Sequence, residues 1–77
     1  MNIIDELNEI FRTVFDNPDI NIRPEMTTND VEGWDSLSHV NLILAIENHF
    51  NIHFSQKELR SHKKVGDLIQ SIESKIN

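Results

Sequence analysis

The sequence predicts an all-α fold, a four-helix bundle of three long helices plus one short third helix, with a long loop between helices 1 and 2. Three observations carry this. Near both ends of the chain, apolar residues recur at i, i+3, i+4 and i+7, the spacing of one helix face. Between them, the stretch from Gly33 to Phe50 runs into a segment that is apolar on nearly every side. Asn51-Ile52-His53-Phe54 alternates polar and apolar but is too short to make a sheet on its own.

The first helix is predicted over residues 2–16. Ile3, Ile4, Leu7, Ile10, Phe11, Val14 and Phe15 form its apolar stripe, with Asp5, Glu6, Glu9 and Arg12 on the polar face. Acids in the first turn suit the positive end of the helix dipole. Asn17-Pro18 ends it, because the residue before a proline avoids helical backbone. Residues 17–35 form the long connection, punctuated by Pro18, Pro24 and Gly33. Loops of that length are usually functional or anchored. Ile20, Ile22, Met26, Val31 and Trp34 are the candidate anchors, and a short helical turn fits near Thr28–Val31.

The second helix begins at Asp35 or Ser36, since either side chain can accept the unpaired amides of a first turn. Asn51 is its stop. Ile52 and Phe54 are expected to reach the core from an extended connector. Ser55-Gln56-Lys57-Glu58 has the Ser-x-x-Glu capping pattern and places the short third helix over about 56–61. The last helix carries Val65, Leu68, Ile69, Ile72 and Ile76 on one stripe.

On a helical wheel the second helix has two apolar faces. Leu42, Ile43, Ile46 and Phe50, joined by His39, suit packing against the first and last helices. Leu37, Val40 and Leu44 form a separate stripe flanked by Ser36 and Glu47. A helix in so small a bundle cannot bury both. Either the third helix and the long loop cover the second stripe, or it is exposed and marks a partner surface.

Composition narrows the function. A chain of 77 residues is read as a single domain, 1–77, that buries only about 60% of its unfolded surface. That leaves little room for a deep active site, so no enzyme activity is expected. Without cysteine there is no disulfide framework, thiolate zinc site or cysteine nucleophile. The first residues lack a basic segment followed by an apolar run, and no apolar run approaches the ~20 residues of a membrane span. A cytoplasmic protein with no membrane contact, and a monomer, is the expectation. The formal charge of −6 is uneven, with −7 over residues 1–38 and +1 over 39–77. No basic footprint offers itself to nucleic acid; the acidic front half suits basic protein surfaces. Neither the loop acids Glu25, Asp30, Glu32 and Asp35 nor the four histidines match a metal-binding spacing, and no metal is expected. Lys57, Arg60, Lys63 and Lys64 are read as a solvated face with capping charge.

Ser36 has three readings. With His39 one turn on and Asp35 adjacent, it could be a hydrolase nucleophile. A triad needs an oriented base and an oxyanion hole, and neither the spacing nor a glycine-rich turn supplies them. It could simply cap the helix. The third reading uses the whole stretch. Asp35-Ser36-Leu37 follows a long acidic loop and opens an apolar helix that continues through Ala45-Ile46-Glu47 to Phe50. A short third helix and an amphipathic last helix come after it.

This arrangement, over the full chain, resembles the acyl carrier protein family. The resemblance implies 4′-phosphopantetheine carried on Ser36, transferred from coenzyme A by a separate magnesium-dependent transferase, with the acyl cargo held as a thioester. Asp35 belongs to the attachment motif. It further implies that Leu37, Val40 and Leu44 face the transferase and the acyl-loading and acyl-transfer enzymes, with Asp35, Glu47, Asp30 and Glu32 as acidic anchors. A phosphate on Ser36 would be favoured by the helix N-terminus. The fatty-acid-synthesis type has a strongly acidic second helix. Here Ser38, Asn41, Asn48 and His49 stand in those places, and Glu47 is the one acid inside the helix. With Trp34 before the motif, this points to a specialised pathway for an acyl, hydroxyacyl or aminoacyl group. The alternatives are a housekeeping fatty-acid carrier, or a helical interaction domain with no prosthetic group.

Overall fold

The computed structural model describes residues 2–76. It contains α1 (Ile3–Val14), a single 3-10 turn (Thr28–Asp30), α2 (Ser36–Phe50), α3 (Gln56–Ser61) and α4 (Val65–Ile76). No strand occurs among the described residues. α1 is two residues shorter at its C-terminus than its periodicity predicts. The chain turns out of the helix at Phe15, whose amide donates to the Phe11 carbonyl, and Asp16, whose amide donates to the Thr13 carbonyl, takes a left-handed φ of 51°. Asn2 caps its start by accepting from the Ile4 amide.

α1 and α2 run antiparallel. Glu6, early in α1, meets His49 near the end of α2 at 2.9 Å, while Phe11 and Phe15 meet Trp34 just before α2 begins. The core between the helices is one cluster. Leu7, Phe11, Leu42, Ile46, Val65, Leu68 and Ile72 are fully buried, and Ile52 and Phe54 enter it from the α2–α3 connector. Ile76 departs from the expected stripe and is exposed.

The long loop is anchored by side chain and backbone. Ile20, Ile22, Met26, Val31 and Trp34 are all buried. The Arg12 guanidinium donates to the Ile20 carbonyl at 2.8 Å and to Asn21 at 2.9 Å, and Asn8 accepts from the Ile22 amide at 2.7 Å. The free amides at the start of α4 are then taken by the loop. Val65 donates to the Met26 carbonyl and Gly66 to the Pro24 carbonyl, at 2.9 and 2.8 Å. Gly66 permits this approach, because a Cβ there would stand 3.1 Å from the Pro24 oxygen. The third helix is tied down by Glu58, which accepts from Lys75 of α4 at 2.8 Å. The loop is thus tied to α1 and α4, and the short helix to α4, by hydrogen bonds between residues distant in sequence.

Candidate functional site

The entrance to α2 is built by four residues. Gly33 takes φ +85°, a left-handed conformation that glycine adopts without a Cβ penalty. Trp34 is buried, and Asp35 is extended and caps the helix. Its carboxylate accepts from the Ser38 amide at 2.9 Å, while Ser38 Oγ accepts from the Asp35 amide at 2.8 Å. Ser38 Oγ also lies 2.7 Å from the Gly33 carbonyl and 2.9 Å from the Asp35 carboxylate. The Ser38 amide, and then its hydroxyl, hold the Asp35 carboxyl below its usual range. Asp35, not Ser36, is therefore the cap. Ser36 is the first residue inside the helix, is exposed, and its hydroxyl bonds to none of the described residues.

His39 is half-buried one turn further on. Trp34 Nε1 donates to His39 Nδ1 at 3.1 Å, and the two rings stack with centroids 6.0 Å apart. An indole N–H only donates, so Nδ1 must be the acceptor and the neutral ring keeps its proton on Nε2. Burial pushes the His39 pKa down, which favours that neutral form. The ring has no free acceptor nitrogen to take a proton from Ser36, and the Asp35 carboxylate is committed to Ser38. The hydrolase reading fails on both counts.

Thr28, Trp34, Asp35, Ser36, His39 and His62 line a shallow depression of about 430 Å³. On the open side of α2, Leu37, Val40 and Leu44 are 73, 55 and 52% exposed, and no described residue covers them. Glu32 is exposed in the loop that leads to Ser36. Asp30 closes a capping box by accepting from the Thr27 amide at 2.9 Å. Glu47 is more constrained than its place on the helical wheel implies. It lies towards the far end of α2, its side chain mostly buried, and accepts from the Phe54 amide at 2.9 Å, so it helps hold the α2–α3 connector. Two contributors were missed from sequence: Ser38, which closes the cap, and the Trp34–His39 bond. The Asp-x-x-Ser spacing was the available signal for the first. Nothing local signals the second.

No group of three or more histidines and carboxylates among the described residues could hold a metal ion. The site does suit a phosphodiester. It offers a free, exposed hydroxyl in the first turn of a long helix, where amides and dipole favour negative charge.

Comparison with known proteins agrees with this geometry. The family profile described as "Phosphopantetheine attachment site" matches residues 5–72. The chain is 33% identical to an acyl carrier protein of Acidothermus cellulolyticus over 70 residues, covering 91% of this chain and 83% of that protein. Its fold matches the solution structure of a holo acyl carrier protein from Geobacter metallireducens with a TM-score of 0.92 and 45% identity. That match covers 99% of this chain and 87% of the other. Fold and site together define a helical carrier. The chain belongs to the acyl carrier protein family and carries its cargo through covalently attached 4′-phosphopantetheine.

Proposed function

We propose that Ser36 is the attachment residue and that the chain, as one carrier unit without catalytic activity of its own, presents a thioester-bound acyl group to visiting enzymes. The observation that carries this is the division of labour between two serines. Ser38 Oγ is used up in the cap, and Ser36 Oγ is free at the mouth of α2. In the transfer from coenzyme A, the Ser36 oxygen forms the new bond to phosphorus and the pyrophosphate P–O bond breaks, releasing the adenosine bisphosphate portion. The hydroxyl proton leaves to a base on the transferase, since His39 offers no free acceptor nitrogen. The bound arm supplies the thiol that this cysteine-free chain lacks.

The exposed Leu37, Val40 and Leu44 are the apolar part of the surface that partners grip. Asp35, Asp30 and Glu32 surround its loop end with negative charge, and Glu47 adds the oxygen not bonded to Phe54 at the other. Because α2 has so few acids, charge steering towards fatty-acid enzymes is weak, which supports a specialised pathway.

The attachment is tested by incubating the apo protein with coenzyme A, magnesium and a promiscuous phosphopantetheinyl transferase, then measuring intact mass. One phosphopantetheine is gained by the wild type and by Ser38→Ala, and none by Ser36→Ala. No gain with several transferases would instead favour a helical interaction domain without a prosthetic group. The pathway reading fails if fatty-acid synthase enzymes load and extend chains on this protein as well as on a housekeeping carrier.

A further inference from the structure

The chain has seven Lys and Arg residues. Three are in ion pairs: Arg12 with Glu9, Arg23 with Glu25 and Lys75 with Glu58. The other four, Lys57, Arg60, Lys63 and Lys64, form no ion pair with any described residue, and all four line one open basin of about 790 Å³ on α3 and the α3–α4 turn. One acid, Asp67, shares its wall. The Asp67 carboxylate accepts from the Lys63 and Lys64 amides at 2.9 and 3.2 Å, which hold its pKa down and keep it ionised, so it offsets one of the four positive charges. A concentration of unpaired positive charge in a chain of net charge −6 favours an anionic occupant.

The basin lies close to the Ser36 depression, with one small cavity between them. That cavity, of about 20 Å³, shares Trp34, His39 and His62 with the depression and Lys63 and Lys64 with the basin. A phosphopantetheine arm has about fourteen bonds from serine oxygen to sulfur, a reach of roughly 16 Å at the spacing of extended backbone.

We propose that Lys63 and Lys64, with Lys57 and Arg60 beyond them, form a recognition site for a carboxylate at the free end of the cargo, so that this carrier favours acyl groups with an anionic terminus. The proposal rests on Ser36 being the attachment residue, and its test separates the two.

The apo protein, labelled with nitrogen-15, is loaded from malonyl-coenzyme A or propionyl-coenzyme A by a promiscuous transferase. The two cargoes have the same carbon count and differ in the terminal carboxylate. Intact mass reports loading; amide chemical shifts report contact. The expected result is a shift difference between the two forms concentrated at residues 57–64. It collapses near 1 M salt, where the screening length is about 3 Å. It is also lost in Lys63→Gln/Lys64→Gln, which still loads fully, and weakened in Lys57→Gln/Arg60→Gln. Identical shifts at 57–64 for both cargoes on a fully loaded protein overturn the proposal and leave the basin to an acidic surface on a partner protein. Failure to load at Ser36 overturns the attachment reading itself.

Discussion

Ser36 and Ser38 carry the same hydroxyl on the same turn of helix, yet only one is available. Ser38 closes the cap with Asp35 and Gly33, and Ser36 stands outside that closed set of bonds. His39 is decided in the same way, by the donor-only indole of Trp34. Its lowered pKa means the folded state disfavours the charged ring. Its stabilising contribution is therefore complete above the ordinary value of 6.5 and is lost as pH falls through the lowered folded value. Nitrogen-15 NMR of the imidazole is expected to show the Nε2–H form at pH 7 and a midpoint below 6.5. In Trp34→Phe, which removes the opposing donor, the midpoint moves back up. These assignments were only half legible in the sequence. Asp35 and Ser36 are both good caps, and composition cannot rank them; the reciprocal bond from Ser38 does. The Trp34–His39 contact depends on the turn that Gly33 allows, which no periodicity encodes.

α2 shows what periodicity does encode. Its two apolar faces were separable on a wheel because helical spacing fixes which residues share a side. Leu42 is fully buried and Leu44 is half exposed, two residues apart. Leu42→Ala is expected to cost about 2–5 kcal/mol by deleting packed core. Leu44→Ala should stay within about 0.5 kcal/mol of wild type. Urea unfolding of both variants checks the contrast. Transferase kinetics should reverse the order, with Leu44→Ala slowed and folded Leu42→Ala little affected. Glu47 marks the limit of the wheel. It sits beside the exposed stripe, yet its carboxylate turns to the Phe54 amide, because the α2–α3 connector folds back over that side.

At the scale of the molecule, the long loop and the short helix are fastened to α4 by bonds between residues distant in sequence. The Pro24 and Met26 carbonyls cover the first amides of α4, and Lys75 reaches Glu58 of α3. Long-range pairing of this kind leaves little local trace. Gly66 was its one hint, a glycine in the first turn of a helix where the loop backbone must come close. The Glu58 pair gives a pH signature. Chiefly through the Lys75 hydrogen bond, its pKa is lowered from 4.5 to about 2. The contribution is whole above 4.5 and drains away as pH falls towards about 2. Thermal midpoints of wild type and Glu58→Gln should therefore differ at pH 6, converge between those two values and coincide below them.

Charge is sorted along the molecule. An acidic loop leads to Ser36, a nearly acid-free apolar stripe follows, and unpaired bases lie beyond the small cavity. Tandem mass spectrometry of the protein purified from its own cells reads the attachment most directly. Phosphopantetheine, free or acylated, is expected on the peptide bearing Ser36, with fragment ions placing it on Ser36 and leaving Ser38 bare. A modification on Ser38, or a Ser36 peptide found only unmodified, would contradict attachment at Ser36.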